Sequence, residues 1–234
     1  MSTRALLLAG GLGTRLRPLT ETTPKCLIPV AGRPILDYWM DALNGAGIGQ
    51  ALLNTHHHAD QVRTYIKEVN ARGGVRLSEA YEPELLGSAG TVTANREWAT
   101  GEVVVIYADN LSDIDLSAFL TFHRSHDDPM SMALFHASEP QNCGIATLDD
   151  TGLITAFTEK PDTPASDLAN AGLYVLDADA WREVADMGAF DFGFDVIPHF
   201  VGRMRGFAHN GYHLDIGTHP ALEQANTDAP GLFS

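Results

Sequence analysis

The chain has 234 residues, 44% of them hydrophobic and 19% charged, with a formal net charge of −15. That length suits one large α/β domain with an ample core, and the acidic balance excludes the extended Lys/Arg surface that nucleic acid or an anionic membrane requires. Cys26 and Cys143 match no metal or redox spacing, the N-terminal apolar run is broken by Gly10-Gly11, and no run reaches bilayer length, so a soluble, reduced, cytoplasmic protein is expected.

The first predicted element is a buried parallel strand over residues 5–9. It runs into Gly10-Gly11-Leu12-Gly13-Thr14-Arg15-Leu16-Arg17-Pro18-Leu19-Thr20 and on through Pro24-Lys25-Cys26-Leu27. Glycines let backbone N–H groups close on an anion. Residues 1–36 carry five cationic side chains against the single acid Glu21, a local balance of +4 in a chain of net charge −15, which marks a local anion site. Gly11-x-Gly13 lacks the third glycine of the dinucleotide fingerprint, and the Walker pattern is absent. The string does resemble the signature of the sugar-1-phosphate nucleotidyltransferases, Gly-x-Gly-x-Arg-Leu-x-Pro-Leu-Thr followed by Pro-Lys-x-Leu. The resemblance implies that Leu8, Ala9, Gly10, Gly11, Gly13 and Thr14 bind the nucleotide. It further implies that Arg15 stabilises departing pyrophosphate and that Lys25 neutralises the triphosphate.

A helix is predicted over residues 34–46, with an apolar stripe at Ile35, Leu36, Trp39, Met40 and Leu43, opened by Pro34 and stopped by Gly45 and Gly47. A strand at Ala51-Leu52-Leu53, a helix over 60–69 and a strand over 75–80 follow. This alternation predicts a mostly parallel central sheet with helices on both faces, and ligands then bind outside the carboxyl ends of the strands. Consecutive His56-His57-His58 cannot all face one ion and are read as a strand-end loop lining the sugar pocket.

Tyr81 to Thr91 leads into a helix expected to continue through Val92, Asn95 and Trp98. Its Glu82-Pro83-Glu84-Leu85-Leu86-Gly87-Ser88-Ala89-Gly90 core resembles the Glu-x-x-Leu-Gly-Thr-Ala-Gly segment of guanylyl members of the family, with Ser88 where Thr is usual, and Gly87 is placed against the base. Guanine presents two donors on one edge, N1–H and N2–H, which a carboxylate accepts together; Glu82 or Glu84 fits that role. Val103 to Tyr107 is the clearest buried strand, with Asp109 and Asn110 at its end. A carboxylate there needs a cation, and Asp109 matches the family's metal aspartate.

Helix is read over 116–126 and strand over 130–136, followed by a β-hairpin from Gly144-Ile145-Ala146-Thr147-Leu148 to Gly152-Leu153-Ile154-Thr155-Ala156-Phe157. In the family, a Cys/Tyr-Gly segment, a Glu-Lys-Pro and an Asn-Ala-Gly-Leu/Ile-Tyr segment hold the sugar phosphate. Asn142-Cys143-Gly144, Glu159-Lys160-Pro161 and Asn170-Ala171-Gly172-Leu173-Tyr174 occur here in that order. The implied sugar-phosphate residues are Asn110, Gly144, Glu159, Lys160 and Asn170. Tyr212-His213-Leu214-Asp215-Ile216-Gly217-Thr218 resembles the segment whose aspartate, Asp215 here, is the second metal ligand, and a closing helix over 220–225 ends the chain.

The expectation is therefore a Rossmann-like nucleotidyltransferase fold in one domain over residues 1–234. Residues 1–115 mainly bind NTP, residues 116–234 mainly bind sugar phosphate through a small hairpin subregion, and no C-terminal β-helix domain follows. The reaction implied is guanylyl transfer to a mannose or heptose 1-phosphate with Mg²⁺ held by Asp109 and Asp215. Uridylyl or cytidylyl transfer to another sugar phosphate or choline phosphate is the alternative. A non-catalytic nucleotide-sugar sensor needs neither Lys25 nor both carboxylates, and Asp113-x-Asp115 lies too far beyond the strand end for a glycosyltransferase metal motif. The expected partners are an NTP and a sugar 1-phosphate, without nucleic acid or membrane; assembly into a homo-oligomer is left open.

Overall fold

The computed structural model describes residues 2–233. In chain order the elements begin with β1 (Arg4–Leu8), β2 (Pro29–Val30), β3 (Arg33–Pro34), α1 (Ile35–Gly45), β4 (Gln50–Thr55), α2 (Ala59–Arg72) and β5 (Arg76–Tyr81). Next come α3 (Ser88–Ala94), β6 (Val103–Tyr107), β7 (Asn110–Ser112), α4 (Leu116–His123), β8 (Met130–His136), β9 (Gly144–Leu148) and β10 (Ile154–Glu159). The chain finishes with β11 (Leu168–Leu176), α5 (Ala178–Asp186), α6 (Ile197–Phe200), β12 (Met204–Ala208), β13 (His213–Asp215) and α7 (His219–Leu232). Among the described residues no helix is long and apolar enough to cross a membrane.

Two compact units interleave along the sequence. The loop unit gathers Arg4–Leu85, Ile106–Leu116 and the segment from Tyr212 onward; the hairpin unit gathers the first residues, Leu86–Val105 and Ser117–Gly211.

In the loop unit, β1, β4 and β5 form a parallel ladder with Ala5 opposite Ala51 and Ala51 opposite Leu77. Ala5, Leu6 and Leu7 are fully buried, which is why β1 reads as an unbroken apolar run. The Ala108 N–H donates to the Leu8 carbonyl at 3.0 Å, bringing Asp109 next to the end of β1. β7 and β13 then pair antiparallel with Asp215 opposite Asn110, and the Ile216 N–H donates to the Asp109 carbonyl at 3.2 Å. Two aspartates about a hundred residues apart in sequence thus share one corner. Leu16, Ile28, Ile35, Leu111, Ile216 and Leu222 pack as one core beneath it. Burial of one such side chain stabilises by about 1.5–3 kcal/mol, so Leu16 anchors the glycine loop to the body of the unit.

In the hairpin unit, β8 pairs parallel with β12 and antiparallel with β11, and β9 and β10 form the expected hairpin. β11 carries a register shift between Asn170 and Tyr174, and the Tyr174 ring stacks on Phe192 at 4.9 Å and 12°. The parallel α/β reading describes the β1–β4–β5 ladder of the loop unit; antiparallel pairs enter there through β2–β3 and β7–β13, and in the hairpin unit through β8–β11 and β9–β10.

Several elements differ from expectation. The helix at Ser88 ends at Ala94 as Asn95 leaves helical geometry; its side-chain amide donates to the Thr91 carbonyl at 2.8 Å, alongside its own backbone N–H at 3.2 Å. α4 stops at His123 as the Ser125 hydroxyl and N–H both satisfy the Phe122 carbonyl. α5 was not anticipated, although its signal is present: Asp177 caps it by accepting from Asp179 and Ala180, ahead of a stripe at Ala180, Trp181 and Val184. α7 runs to Leu232, well beyond the expected residue 225, with Pro230 inside its last turns, where the ring costs one N–H donor without ending the helix.

Candidate functional site

The glycine loop owes its shape to two contacts. Gly13 has φ 60°, ψ 34°, and a Cβ there would meet Thr20 Cγ2 at 2.7 Å, so only glycine lets the turn close. Buried Thr20 fastens it by donating from its hydroxyl to the Gly13 carbonyl at 2.8 Å. Three short 3₁₀ turns, Thr14–Leu16, Leu19–Glu21 and Lys25–Leu27, carry the chain onward with Arg15 outward and Lys25 inward.

The Lys25 side chain is 9% exposed, and its Nζ lies 2.5 Å from Asp109 Oδ2 and 3.3 Å from Asp215 Oδ1. Arg15 Nη2 approaches Asp215 Oδ2 at 3.4 Å. The Gly217 N–H donates to Asp215 Oδ1 at 2.8 Å. Partial burial works against ionisation of Asp215, but the Lys25 ammonium, the Gly217 N–H and Arg15 together hold its carboxyl below the usual range. Gly217 is a cradle: a Cβ there would lie 2.6 Å from Arg15 Nη2, 2.8 Å from Asp215 Oδ1 and 3.0 Å from Lys25 Nζ. Arg15, Lys25, Asp109 and Asp215 are therefore brought together as the motif resemblance implies, and Gly217 joins them as a residue the sequence reading quoted without assigning.

Among the described residues no group of three or more His, Cys, Asp or Glu could hold a metal. The Asp109–Asp215 pair nevertheless fits Mg²⁺ by its donor set. Two hard carboxylates sharing one cation position leave the remaining coordination to phosphate oxygens and water, as that ion prefers. Asn110 sits in β7 opposite Asp215, buried, with its carbonyl accepting from Trp39 Nε1 at 2.9 Å. Asp113 bonds in both directions with the Tyr212 backbone, a structural use of the acid in Asp113-x-Asp115.

Sequence reasoning gave Asn54 no role. Its Oδ1 accepts from the Ala9 N–H at 2.5 Å and the Gly10 N–H at 3.0 Å, while its Nδ2 donates to Glu82 Oε1 at 3.1 Å. The Ala9 and Gly10 amides are thus engaged inside the protein. Glu82 is 2% exposed, its N–H donates to the Thr55 carbonyl, and its own carbonyl accepts from His56 Nδ1 at 2.8 Å. Glu84 is exposed, so the two candidate base readers separate: Glu82 is fixed next to the loop and Glu84 is not. Cys26, next to Lys25 in the chain, is buried, which pushes its thiol up to about 12.

The hairpin unit groups Gly144, Glu159 and Lys160. A Cβ on Gly144 would collide with Phe157 and come within 2.5 Å of Glu159 Oε2, and one on Gly193 would lie 3.0 Å from the same oxygen. Glu159 is thus sandwiched between two glycines; burial raises its carboxyl above the ordinary range, opposed by Lys160. Lys160 has φ 47°, its N–H donates to the Cys143 carbonyl, and its side chain is 61% exposed. Asn170 is used within its own strand, donating to the Tyr174 hydroxyl at 2.7 Å and accepting from the Gly172 N–H at 2.9 Å, so it builds the register shift. At Gly87, φ is 78°, a Cβ would strike the Phe190 carbonyl, and the Ala89 N–H donates to that same carbonyl at 3.1 Å. Close approach of the 190 segment therefore accounts for the glycine. Ser88 ties that segment further, donating to Asp191 Oδ2 at 3.2 Å and accepting from the Phe192 N–H at 2.9 Å.

The nucleotidyl transferase family model matches residues 4–230. The mannose-1-phosphate guanylyltransferase catalytic subunit beta of Drosophila pseudoobscura pseudoobscura is 32% identical over 220 residues, 92% of this chain and 59% of that protein. The corresponding subunit of Xenopus tropicalis is 30% identical over 92% of this chain and 61% of its own length. The chain thus spans about three fifths of the curated relatives it matches. Among solved structures, HddC from Yersinia pseudotuberculosis complexed with GMP-PN superposes with a TM-score of 0.81 at 24% identity, covering 97% of this chain and 99% of that one, a likeness of fold. With its glycine loop, Lys25 and paired aspartates in place, the chain belongs to the nucleotidyl transferase family.

Proposed function

We propose that the chain transfers a guanylyl group from GTP to a sugar 1-phosphate of mannose or heptose type, releasing pyrophosphate. The observation that carries this reading is the buried Lys25 ammonium held between Asp109 and Asp215, beside Arg15 and a glycine loop. An oxygen of the sugar phosphate attacks the α-phosphorus in line, and the bond from that phosphorus to the bridging oxygen breaks. The attacking group is already an anion, so no general base is needed, and catalysis consists of positioning and charge neutralisation.

Lys25 neutralises charge on the reacting phosphates from a fixed position, and Arg15, more exposed, follows the leaving pyrophosphate. Asp109 and Asp215 would hold Mg²⁺. That ion, when bound, supplies Lewis-acid neutralisation of phosphate oxygens. The loop from Gly11 through Gly13 and Thr14 offers amides to the triphosphate, and Glu82 accepts the N1–H and N2–H of guanine. In the hairpin unit, Lys160 binds the sugar phosphate and Glu159 accepts a sugar hydroxyl; Asn110 and Asn170 shape their surroundings. The guanylyltransferase names of the relatives support the base and the sugar. A cytoplasmic setting suits the two free thiols.

The test is pyrophosphate release with Mg²⁺, offering GTP, UTP, CTP, dTTP and ATP against a panel of sugar 1-phosphates that includes mannose and heptose forms. Release confined to GTP supports the reading. Release with a pyrimidine triphosphate alone removes guanine, and silence across the panel removes the enzyme.

A further inference from the structure

Asn54 is a buried side chain of the loop unit with three hydrogen-bond partners, Ala9, Gly10 and Glu82, that the reaction described above leaves unused. It projects from the end of β4 and is 5% exposed. Its orientation is fixed by its surroundings: two N–H groups, from Ala9 and Gly10, converge on one end of the amide, which must therefore be the oxygen. The opposite end, the NH₂, is then turned to Glu82 Oε1 at 3.1 Å. Gly10 completes the clamp, because a Cβ there would lie 2.8 Å from Asn54 Nδ2 and would push the amide away.

We infer that Asn54 is a specificity-determining positioning residue, which orients Glu82 so that the carboxylate presents acceptors alone to the base and ties that orientation to the glycine loop. The inference rests on Glu82 reading guanine. A carboxylate is complementary to the two adjacent donors of guanine. A carboxyl group carrying a proton, or an amide, offers one donor and one acceptor, and matches the N3–H and carbonyl of uracil instead. By donating an N–H to Glu82, Asn54 favours the first arrangement. Because the same side chain accepts from Ala9 and Gly10, a displaced Asn54 would disturb base reading and loop position together.

The substitution Asn54→Asp keeps size and shape but places a second carboxylate against Glu82 within hydrogen-bond distance, where the two oxygens must share a proton. Glu82 then ceases to be acceptor-only. The experiment compares kcat/KM for GTP and for UTP, by pyrophosphate release, in the wild type, Asn54→Asp, Gly10→Ala and Glu82→Gln, with thermal melting as the check on folding. We expect the GTP/UTP ratio to fall about tenfold to a hundredfold in Asn54→Asp, the range for a lost or inverted hydrogen bond at a recognition site. The ratio should fall in the same direction in Gly10→Ala, which displaces the amide without adding charge and serves if Asn54→Asp does not fold. A role confined to stability would lower both substrates alike, so an unchanged ratio in a folded Asn54→Asp, or in Gly10→Ala, overturns the inference. A ratio altered by Glu82→Gln but untouched by Asn54→Asp overturns Asn54 alone. A ratio indifferent to Glu82→Gln overturns the reading of guanine by Glu82, and the inference with it.

Discussion

The loop unit and the hairpin unit each set a lysine against carboxylates, and they do so in opposite ways. In the loop unit the lysine is the buried partner: Lys25 is 9% exposed, with Asp109 and Asp215 more open around it. In the hairpin unit the carboxylate is the more enclosed partner, Glu159 lying partly buried between Gly144 and Gly193 at 18% exposure, while Lys160 is 61% exposed. A buried cation fixed by two anions has its position determined before any ligand arrives, which suits stabilisation of charge that develops during a reaction. An exposed cation on a flexible stem can adapt to the ligand it meets, which suits recognition. The contrast predicts a division of kinetic labour, with changes in the loop unit appearing in kcat and changes in the hairpin unit appearing in KM.

The strongest way to break that division is Lys25→Ala. It leaves two carboxylates facing one another without their shared cation, and we expect kcat to fall on the order of 10²–10³-fold with a preserved far-UV spectrum. Single-turnover rates within a factor of two of the wild type would remove Lys25 from the chemistry. A smaller effect is expected from Gly217→Ala, whose new methyl group would press on Arg15, Asp215 and Lys25 at once. Displacements of this kind lower kcat by about tenfold to a hundredfold, and steady-state kinetics with both substrates saturating would reveal it. Lys160→Ala sharpens the comparison from the other side. KM for the sugar 1-phosphate should rise about tenfold while kcat changes little, and a fall in kcat with KM intact would place Lys160 in the reacting centre and abolish the contrast.

How much of this was legible in the sequence depends on whether a residue's partners are local to it in the chain. The glycine loop, Lys25 and the strand-end Asp109 lie close to diagnostic local patterns, and the apolar run of β1 and the stripe of α1 announce their elements. Asp215 is different, since only the family likeness of its segment connects it to Asp109; the β7–β13 ladder that joins them pairs residues about a hundred positions apart and leaves no periodic trace. Asn54 is a still clearer case. In the sequence it is one polar residue at the end of a short apolar strand, and its value comes wholly from Ala9, Gly10 and Glu82, which the fold brings to it. The glycines divide likewise. Gly13 could be assigned to a turn, whereas Gly87, Gly144 and Gly217 are explained by atoms of residues 190, 157–159 and 15–25 that no local reading could place beside them. Composition could not choose between Glu82 and Glu84, and burial separates them.

The central claim is that Asp109, Asp215 and Lys25 form the reacting centre of a metal-assisted nucleotidyl transfer. The measurement that tests it most directly is a Mg²⁺ titration of pyrophosphate release from GTP and a sugar 1-phosphate, wild type against Asp109→Asn. The neutral amide is a poor ligand for a hard divalent ion. We predict saturable Mg²⁺ dependence in the wild type, with activity in Asp109→Asn reduced at least about tenfold and its midpoint moved to higher Mg²⁺. Superimposable titration curves would contradict the account and take Asp109 out of the metal site.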